Sequence, residues 1–243
     1  MIRVDSVNLS FSRAGETNTV LKDISFQLDP QTSCAIIGPS GCGKTSLLLL
    51  LAGLLKPDSG EVSITGSPRC GTILQNFGLF PWKTVAQNIG LGLQLKKEKK
   101  ATIKKRVAAL IDDMGLRGFS DHYPIELSGG MQQRVALARA LAIEPKILLM
   151  DEPLSSLDAL TRERLQNLIV DIWQLQKITK VLVTHSIEEA VFLGQKIIVL
   201  GNRPARVLHT VDNPEAGSGQ YRQSETFFKR CIELRKVLGG NGG

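Results

Sequence analysis

An α/β fold is predicted for this chain of 243 residues, with paired strands ahead of its core and a helical block inserted into it. Three observations predict it. Residues 38–45, Gly-Pro-Ser-Gly-Cys-Gly-Lys-Thr, lie between an apolar run at 34–37 that suits a buried strand and a run at 46–52 that suits a buried helix. Residues 147–150 and 181–183 are continuously apolar, as parallel strands covered on both faces are. From Phe77 to Glu126 the pattern changes to helical spacing.

Taken in order, residues 2–9 and 20–28 alternate in the manner of strands, through Ile2, Val4, Val7 and Leu9, then Val20, Ile24, Phe26 and Leu28. The polar segment 12–19 between them contains Gly15 and predicts a hairpin turn. Phe11 closes the first strand, either as an ordinary edge aromatic or as a ring that stacks on a nucleotide base. After the glycine-rich loop and its helix, Pro57-Asp58-Ser59-Gly60 marks a turn. Strands are expected near 61–64 and 71–74, ending at Gln75. Val107, Leu110, Ile111 and Met114 form one helix face, and Met131, Val135, Ala138 and Leu141 another. Ser128 is suited to cap that second helix, with Gly129 and Gly130 opening its end to an anion. The strand at 147–150 delivers Asp151 and Glu152 at its carboxyl end, where open α/β sheets place ligands. Asp158 caps a helix with Leu165, Leu168, Ile169 and Ile172 on one face. Thr184 and His185 end the next strand. Two more strands are expected near 196–200 and 206–210, then a polar linker at 213–220. A last amphipathic helix would use Phe227, Phe228, Ile232 and Val237, and the glycine-rich tail 239–243 is expected to be disordered.

The loop at 38–45 fits G-x-x-x-x-G-K-[ST], the phosphate-binding pattern, in the strand–loop–helix setting that it needs. Gly38, Gly41 and Gly43 let consecutive N–H groups point into one concavity. The helix starting near Lys44 adds unpaired amides and the positive end of its dipole. Lys44 supplies a point charge to the β- and γ-phosphates, and the Thr45 hydroxyl suits Mg²⁺, which prefers oxygen ligands.

Composition sets the surroundings. An apolar content of 42% and a charged content of 22% belong to a globular protein with a full core. The longest apolar stretch, 47–55, is far short of the ~20 residues that span a bilayer. The N-terminus lacks signal-peptide character, so a chain made and kept in the cytosol is expected. Cys34, Cys42, Cys70 and Cys231 have neither paired nor metal-site spacing and are expected as free thiols. Cys42, inside the phosphate loop, is expected to block nucleotide binding when alkylated and to be protected by ATP. Much of the net charge of +7 comes from Lys96, Lys97, Lys99, Lys100, Lys104, Lys105 and Arg106. Without interleaved aromatics they read as a solvated helix face rather than a patch for nucleic acid or an anionic membrane.

With these residues in view, the chain resembles the ATP-binding-cassette (ABC) ATPases over essentially its whole length. The motifs that carry the resemblance, in order, are 38–45, Gln75, Leu127-Ser128-Gly129-Gly130, 147–152, Ser156-Leu157-Asp158 and His185. The resemblance implies a P-loop NTPase core with a mixed sheet, an N-terminal antiparallel β subdomain and an inserted helical subdomain. Residues 1–76 and 144–212 would form the ATP-binding core, 77–143 the helical signature subdomain, and 213–243 the linker, C-terminal helix and flexible tail. It further implies that ATP is held by Phe11, Gly38, Pro39, Ser40, Gly41, Cys42, Gly43, Lys44, Thr45, Ser46 and Gln75, with Ser128, Gly129, Gly130 and Asp158 contributed across a seam between two cassettes. Mg²⁺ would be held by Thr45, Gln75 and Asp151. Glu152 would be the general base or water-orienting group, with Lys44, Gln75 and His185 completing the catalytic set. One phosphate loop and one signature per chain imply a homodimer in which each nucleotide lies between two copies.

Phe80-Pro81-Trp82 after Gln75, Thr184-His185 with Ile187-Glu188-Glu189-Ala190, and Arg203-Pro204 are similar to the nitrate/sulfonate/taurine branch of importers. Ser186 stands where Asp is more usual. This branch implies an ATP-hydrolysing subunit on the cytoplasmic side of the inner membrane, working with permease subunits and an extracytoplasmic substrate-binding protein, without nucleic acid. A permease helix would enter a groove near residues 75–88, with Pro81 and Trp82 either touching it or forming a local core. The alternative is a soluble ABC ATPase in nucleic-acid or cofactor assembly.

Overall fold

The computed structural model describes residues 1–13, 16–66, 68–155 and 157–239. Strands β1 (Ile2–Arg13), β2 (Glu16–Leu28) and β4 (Ser59–Ile64) form a three-stranded antiparallel sheet ordered β2-β1-β4. Six further strands form the central sheet: β3 (Ser33–Ile37), β5 (Cys70–Ile73), β6 (Ile147–Asp151), β7 (Thr179–Thr184), β8 (Lys196–Leu200) and β9 (Val207–Asp212). Their order is β5-β6-β7-β3-β8-β9, parallel except for β9, so the central sheet is mixed as expected.

The continuous apolar runs are explained by two cores, one on each face of this sheet. Cys34, Ile36, Ile147, Leu149, Val181 and Val183 face one way, joined by helix α1 (Lys44–Leu51) and the three-stranded sheet. Ala35, Ile37, Leu148, Met150 and Leu182 face the other. Period-two alternation is present but hidden in the sequence, because both faces are apolar.

The second core is covered by helices α2 (Val85–Leu95), α3 (Lys100–Asp113), α4 (Gly129–Ala142), α5 (Ala159–Gln176), α6 (Ile187–Leu193) and α7 (Glu225–Gly239). Helix α2 begins with a capping box: Gln87 N donates to Thr84 Oγ1 at 3.3 Å and Thr84 N to Gln87 Oε1 at 3.0 Å. Buried Asn88 donates to the carbonyls of Phe80 (3.1 Å), Lys83 (2.9 Å) and Thr84 (3.1 Å) and accepts from Phe80 N at 2.9 Å. It pins the loop that carries Trp82, which is 69% exposed and so is no part of a local core. Lys96, Lys97, Lys99, Lys100, Lys104 and Lys105 are exposed, as a solvated face requires, whereas Arg106 turns in and donates to Leu141 O at the end of α4.

Three expectations change, at the hairpin, the last helix and its end, while the linker at 213–220 stands. The hairpin strands run to Arg13 and Glu16, because Ser10 and Ser12 pair across with Thr19 and Thr17 and keep the polar segment extended; the Gly15 turn lies outside the described residues. The 213–220 segment is anchored: buried Asn213 donates to Val191 O (2.7 Å) and Gly194 O (2.9 Å) and accepts from Tyr221 Oη. Helix α7 buries Phe227, Cys231 and Leu234, while Phe228 and Ile232 are exposed. Gly239 closes that helix, and residues 240–243 of the expected tail lie outside the described residues.

Lys180, inside an apolar strand, is fully buried with its Nζ 5.0 Å from the Trp173 ring centre and no hydrogen-bond partner among the described residues. Burial pushes its amine down to about 7, against the pull of the Glu189 carboxylate. Between pH 7 and the ordinary lysine value the unfolded chain therefore binds the extra proton at this group, whose own contribution to stability climbs with pH by about 1.4 kcal/mol per unit, opposed above about pH 9 by the buried thiols of Cys34 and Cys231. Lys180→Met is expected to flatten that slope and raise the melting temperature at pH 7 by several degrees. Melting curves from pH 6.5 to 9.5 check this; parallel slopes in the two proteins would contradict it.

Candidate functional site

Strands β5, β6, β7 and β3 are neighbours and parallel, so their carboxyl ends open on the same edge of the sheet. Gln75 follows β5, Asp151 and Glu152 leave β6, His185 follows β7, and the glycine-rich loop follows β3. Residues that are up to 147 positions apart in sequence are brought together by this adjacency (38 to 185). A cavity of about 330 Å³ lies there, lined by Ser40, Gly41, Gly43, Lys44, Thr45 and Ser46, together with Gln75, Glu152, Phe11, Val20 and Arg203.

The loop is shaped by steric need. Gly43 has φ +117°, and a Cβ there would lie 2.7 Å from Val20 Cγ1 and 2.9 Å from Leu21 Cδ2. Strand β2 thus presses directly on the loop, and any side chain at Gly43 would displace it. Lys44 is 5% exposed, and its Nζ donates to Gly38 O (2.9 Å) and Pro39 O (2.8 Å), spanning the loop. Helix α1 then begins at Lys44, directing its first amides at the cavity. Cys42 is part of the loop but not of the cavity lining. It is 2% exposed, and burial pushes its thiol up despite the Lys44 charge. All four cysteines are free, as expected.

Two carboxylates leave β6 with different surroundings. Asp151 is 2% exposed, and its Oδ1 has no hydrogen-bond partner among the described residues. Its carboxyl is raised by burial and, less strongly, by the charge of Glu152, while a hydrogen bond from Thr45 and the Lys44 charge lower it. An orphaned buried carboxylate oxygen beside the Thr45 hydroxyl, with the Gln75 amide across the cavity, is a hard oxygen donor set that fits Mg²⁺. Among the described residues no group of three or more His, Cys, Asp or Glu could hold a metal ion by itself.

Glu152 sits at φ +45°, in the left-handed region that a non-glycine residue enters at a cost of about 1–3 kcal/mol. Its N–H donates to Val183 O at 2.9 Å and its carbonyl accepts from Ser155 Oγ at 3.1 Å, which holds the turn. The carboxylate Oε2 lies 3.1 Å from His185 Nδ1 and accepts from Gln75 Nε2 at 3.5 Å. His185 is placed by the cap of α6: Ser186 N donates to Thr184 Oγ1 (3.1 Å) and Glu189 N to Ser186 Oγ (3.2 Å). Serine caps as well as Asp does, so the unusual residue at 186 keeps the geometry.

Ser128, Gly129, Gly130 and Asp158 do not line this cavity. They form a second assembly. Ser128 caps α4, accepting from Met131 N at 3.3 Å, and Asp158 caps α5, accepting from Thr161 N at 3.0 Å. The Thr161 N–H holds the Asp158 carboxyl below its usual value. A Cβ at Gly130 would lie 2.8 Å from Thr161 Cγ2, so the two helix starts touch. Ser156 lies outside the described residues. Val20 and Arg203 line the cavity without having been predicted there; Val20 falls at the register shift between β1 and β2, where Phe11 pairs with Asn18 and no local pattern points to it. A larger cavity of about 590 Å³ opens between α2 and α3; its lining mixes apolar residues such as Ile103, Val107 and Ile111 with Gln87, Lys100 and Lys104, and has no phosphate-binding loop.

The sequence profile of the family described as ABC transporter matches residues 21–155. The taurine import ATP-binding protein TauB of Pelagibacter ubique is 44% identical over 211 residues, covering 84% of this chain and 80% of that protein. The aliphatic sulfonates import ATP-binding protein SsuB of Bacillus subtilis is 46% identical over 204 residues, covering 82% and 79%. Among solved structures, the dimeric post-hydrolysis state of the ATP-binding cassette MJ0796 bound to ADP and Pi matches with a TM-score of 0.79 at 31% identity, covering 87% of this chain and 98% of that one.

Proposed function

This chain belongs to the ABC transporter family, and from that premise we propose that it is the ATP-hydrolysing subunit of an importer for a small organic anion, of the taurine or alkylsulfonate kind. One observation carries the reading. The cavity gathers the phosphate loop, Gln75 and Glu152, yet Ser128–Gly130 lie outside it, so each chain holds half of a nucleotide site. Two copies related by a two-fold axis would supply the missing halves to each other. The dimeric cassette relative supports that arrangement.

In this reading the amides of residues 41–46 and the Lys44 ammonium bind the triphosphate. Thr45, Gln75 and Asp151 hold Mg²⁺, which when bound neutralises charge developing on the transferred phosphoryl group. Glu152 orients the attacking water and accepts its proton at the carboxylate, while His185 and Gln75 keep that carboxylate aimed. Phe11, 44% exposed on the cavity rim, stacks on adenine. The partner's Ser128, Gly129 and Gly130 close on the γ-phosphate with Asp158 at the seam, and hydrolysis removes the contact that favours closure.

Trp82, with Phe80 edge-on at 5.5 Å, and the apolar groove between α2 and α3 would seat a permease helix on the cytoplasmic side of the membrane. No helix among the described residues is long and apolar enough to cross a membrane, so the membrane path belongs to permease subunits, fed by a substrate-binding protein. The test is co-expression with any permease found among the neighbouring genes, followed by purification in detergent and reconstitution. Mg-ATP-dependent uptake of taurine or an alkylsulfonate is expected. A chain that hydrolyses ATP and captures no membrane protein would overturn the importer reading in favour of a soluble ATPase.

A further inference from the structure

We infer that Arg203 is a nucleotide-binding residue acting on the nucleoside half of the ligand. The inference rests on the reading that the 330 Å³ cavity takes ATP. Arg203 lies in the connection between β8 and β9, far in sequence from every phosphate-binding residue, yet it lines the same cavity as Lys44 and Phe11.

Its position is built. Ala205 N donates to Val20 O at 2.8 Å and Lys22 N to Ala205 O at 2.9 Å, and Leu21 pairs in parallel with Ala205. These contacts fasten the connection to β2 just where Val20 and Leu21 press on Gly43. Arg203 Nε then donates to Thr19 O at 3.3 Å, which fixes the stem of the guanidinium. The residue is exposed and has no other protein partner among the described residues. One wall of the cavity therefore runs from Gly43 through Val20 to Arg203, which Thr19 O anchors, with Phe11 on the adjoining strand β1.

The chemistry follows from what the phosphate loop lacks. Its amides and Lys44 satisfy phosphate oxygens, but none of them can face a ribose hydroxyl or a heteroaromatic ring. A guanidinium does both: it is planar, always charged, lies favourably on a π face and keeps N–H groups for ribose oxygens. Because Nε is already held, little rotamer freedom remains to be lost on binding.

Calorimetric titration of the wild type, Arg203→Ala, Arg203→Lys and Lys44→Ala with Mg-ATP and with Mg-tripolyphosphate tests this. Arg203→Ala is expected to weaken Mg-ATP about tenfold and leave tripolyphosphate unchanged. Arg203→Lys, which keeps the charge and loses the plane, should recover only a minor part. Lys44→Ala should weaken both ligands. Unchanged ATP affinity in Arg203→Ala would overturn the inference. So would equal losses for ATP and tripolyphosphate, or a loss accompanied by a melting point several degrees lower, since the side chain would then serve phosphates or merely the fold. A wild type that binds neither ligand would instead bring down the reading of the cavity itself.

Discussion

Glu152→Gln is expected to lower steady-state ATP hydrolysis by roughly 10²–10⁴-fold while leaving Mg-ATP bound and the chain dimeric. The reason is local. The backbone at Glu152 is bent into φ +45° and held by Val183 O and Ser155 Oγ, which aims the side chain between Gln75 and His185. Glutamine has the same shape and still accepts from Gln75, so the turn and the cavity persist. It cannot take a proton from water. The uncleaved γ-phosphate then remains as the contact between copies, and the closed form accumulates. Light scattering during size exclusion at saturating Mg-ATP, alongside phosphate release, reads both effects. A monomeric variant, or one with wild-type turnover, would refute the assignment of Glu152.

The same region shows what a sequence reveals and what it hides. Residues 38–45 were legible because the constraint is local: a glycine-rich bend between one strand and one helix needs no distant partner to be recognised. The runs at 147–150 and 181–183 were legible as buried strands for a similar reason, since the two cores of the central sheet demand apolar residues on both faces. Arg203 was quoted only as part of a subfamily pattern. Its place in the cavity depends on β8 lying beside β3 and on a backbone zipper to β2, neither of which has a local signature.

Lys180, next to the apolar run at 181–183, carries no local sign of its burial against Trp173 and near Glu189. The last helix was half legible: Phe227 and Val237 pack on the core, whereas Phe228 and Ile232 face outward. Phe227, Phe228, Ile232 and Val237 are compatible with two adjacent stripes, and packing chose the one through Phe227, Cys231 and Leu234. Asn88 and Asn213 were invisible as anchors, because a buried amide is indistinguishable from a loop residue until the carbonyls around it are located.

Mixing two inactive variants is expected to restore activity if the site is shared between copies. Lys44→Ala removes the charge in the phosphate loop, and Ser128→Arg places a bulky cation where the signature helix begins. Each alone leaves both composite sites of a homodimer defective. In a mixed dimer, the Ser128→Arg copy contributes an intact Lys44 and the Lys44→Ala copy an intact Ser128, so one site is complete and the other doubly impaired. Random association of equal amounts makes half of the dimers mixed, and one working site in each gives about a quarter of wild-type activity when sites act independently. Strong coupling between sites would lower that figure without abolishing it. The measurement is ATPase rate against mixing ratio after subunit exchange, with a maximum at equal amounts. Activity that stays at the level of the separate variants at every ratio would mean that loop and signature serve one nucleotide within a single chain. That outcome is hard to reconcile with a cavity whose lining includes Ser40, Gly41, residues 43–46, Gln75 and Glu152 but no part of Ser128–Gly130.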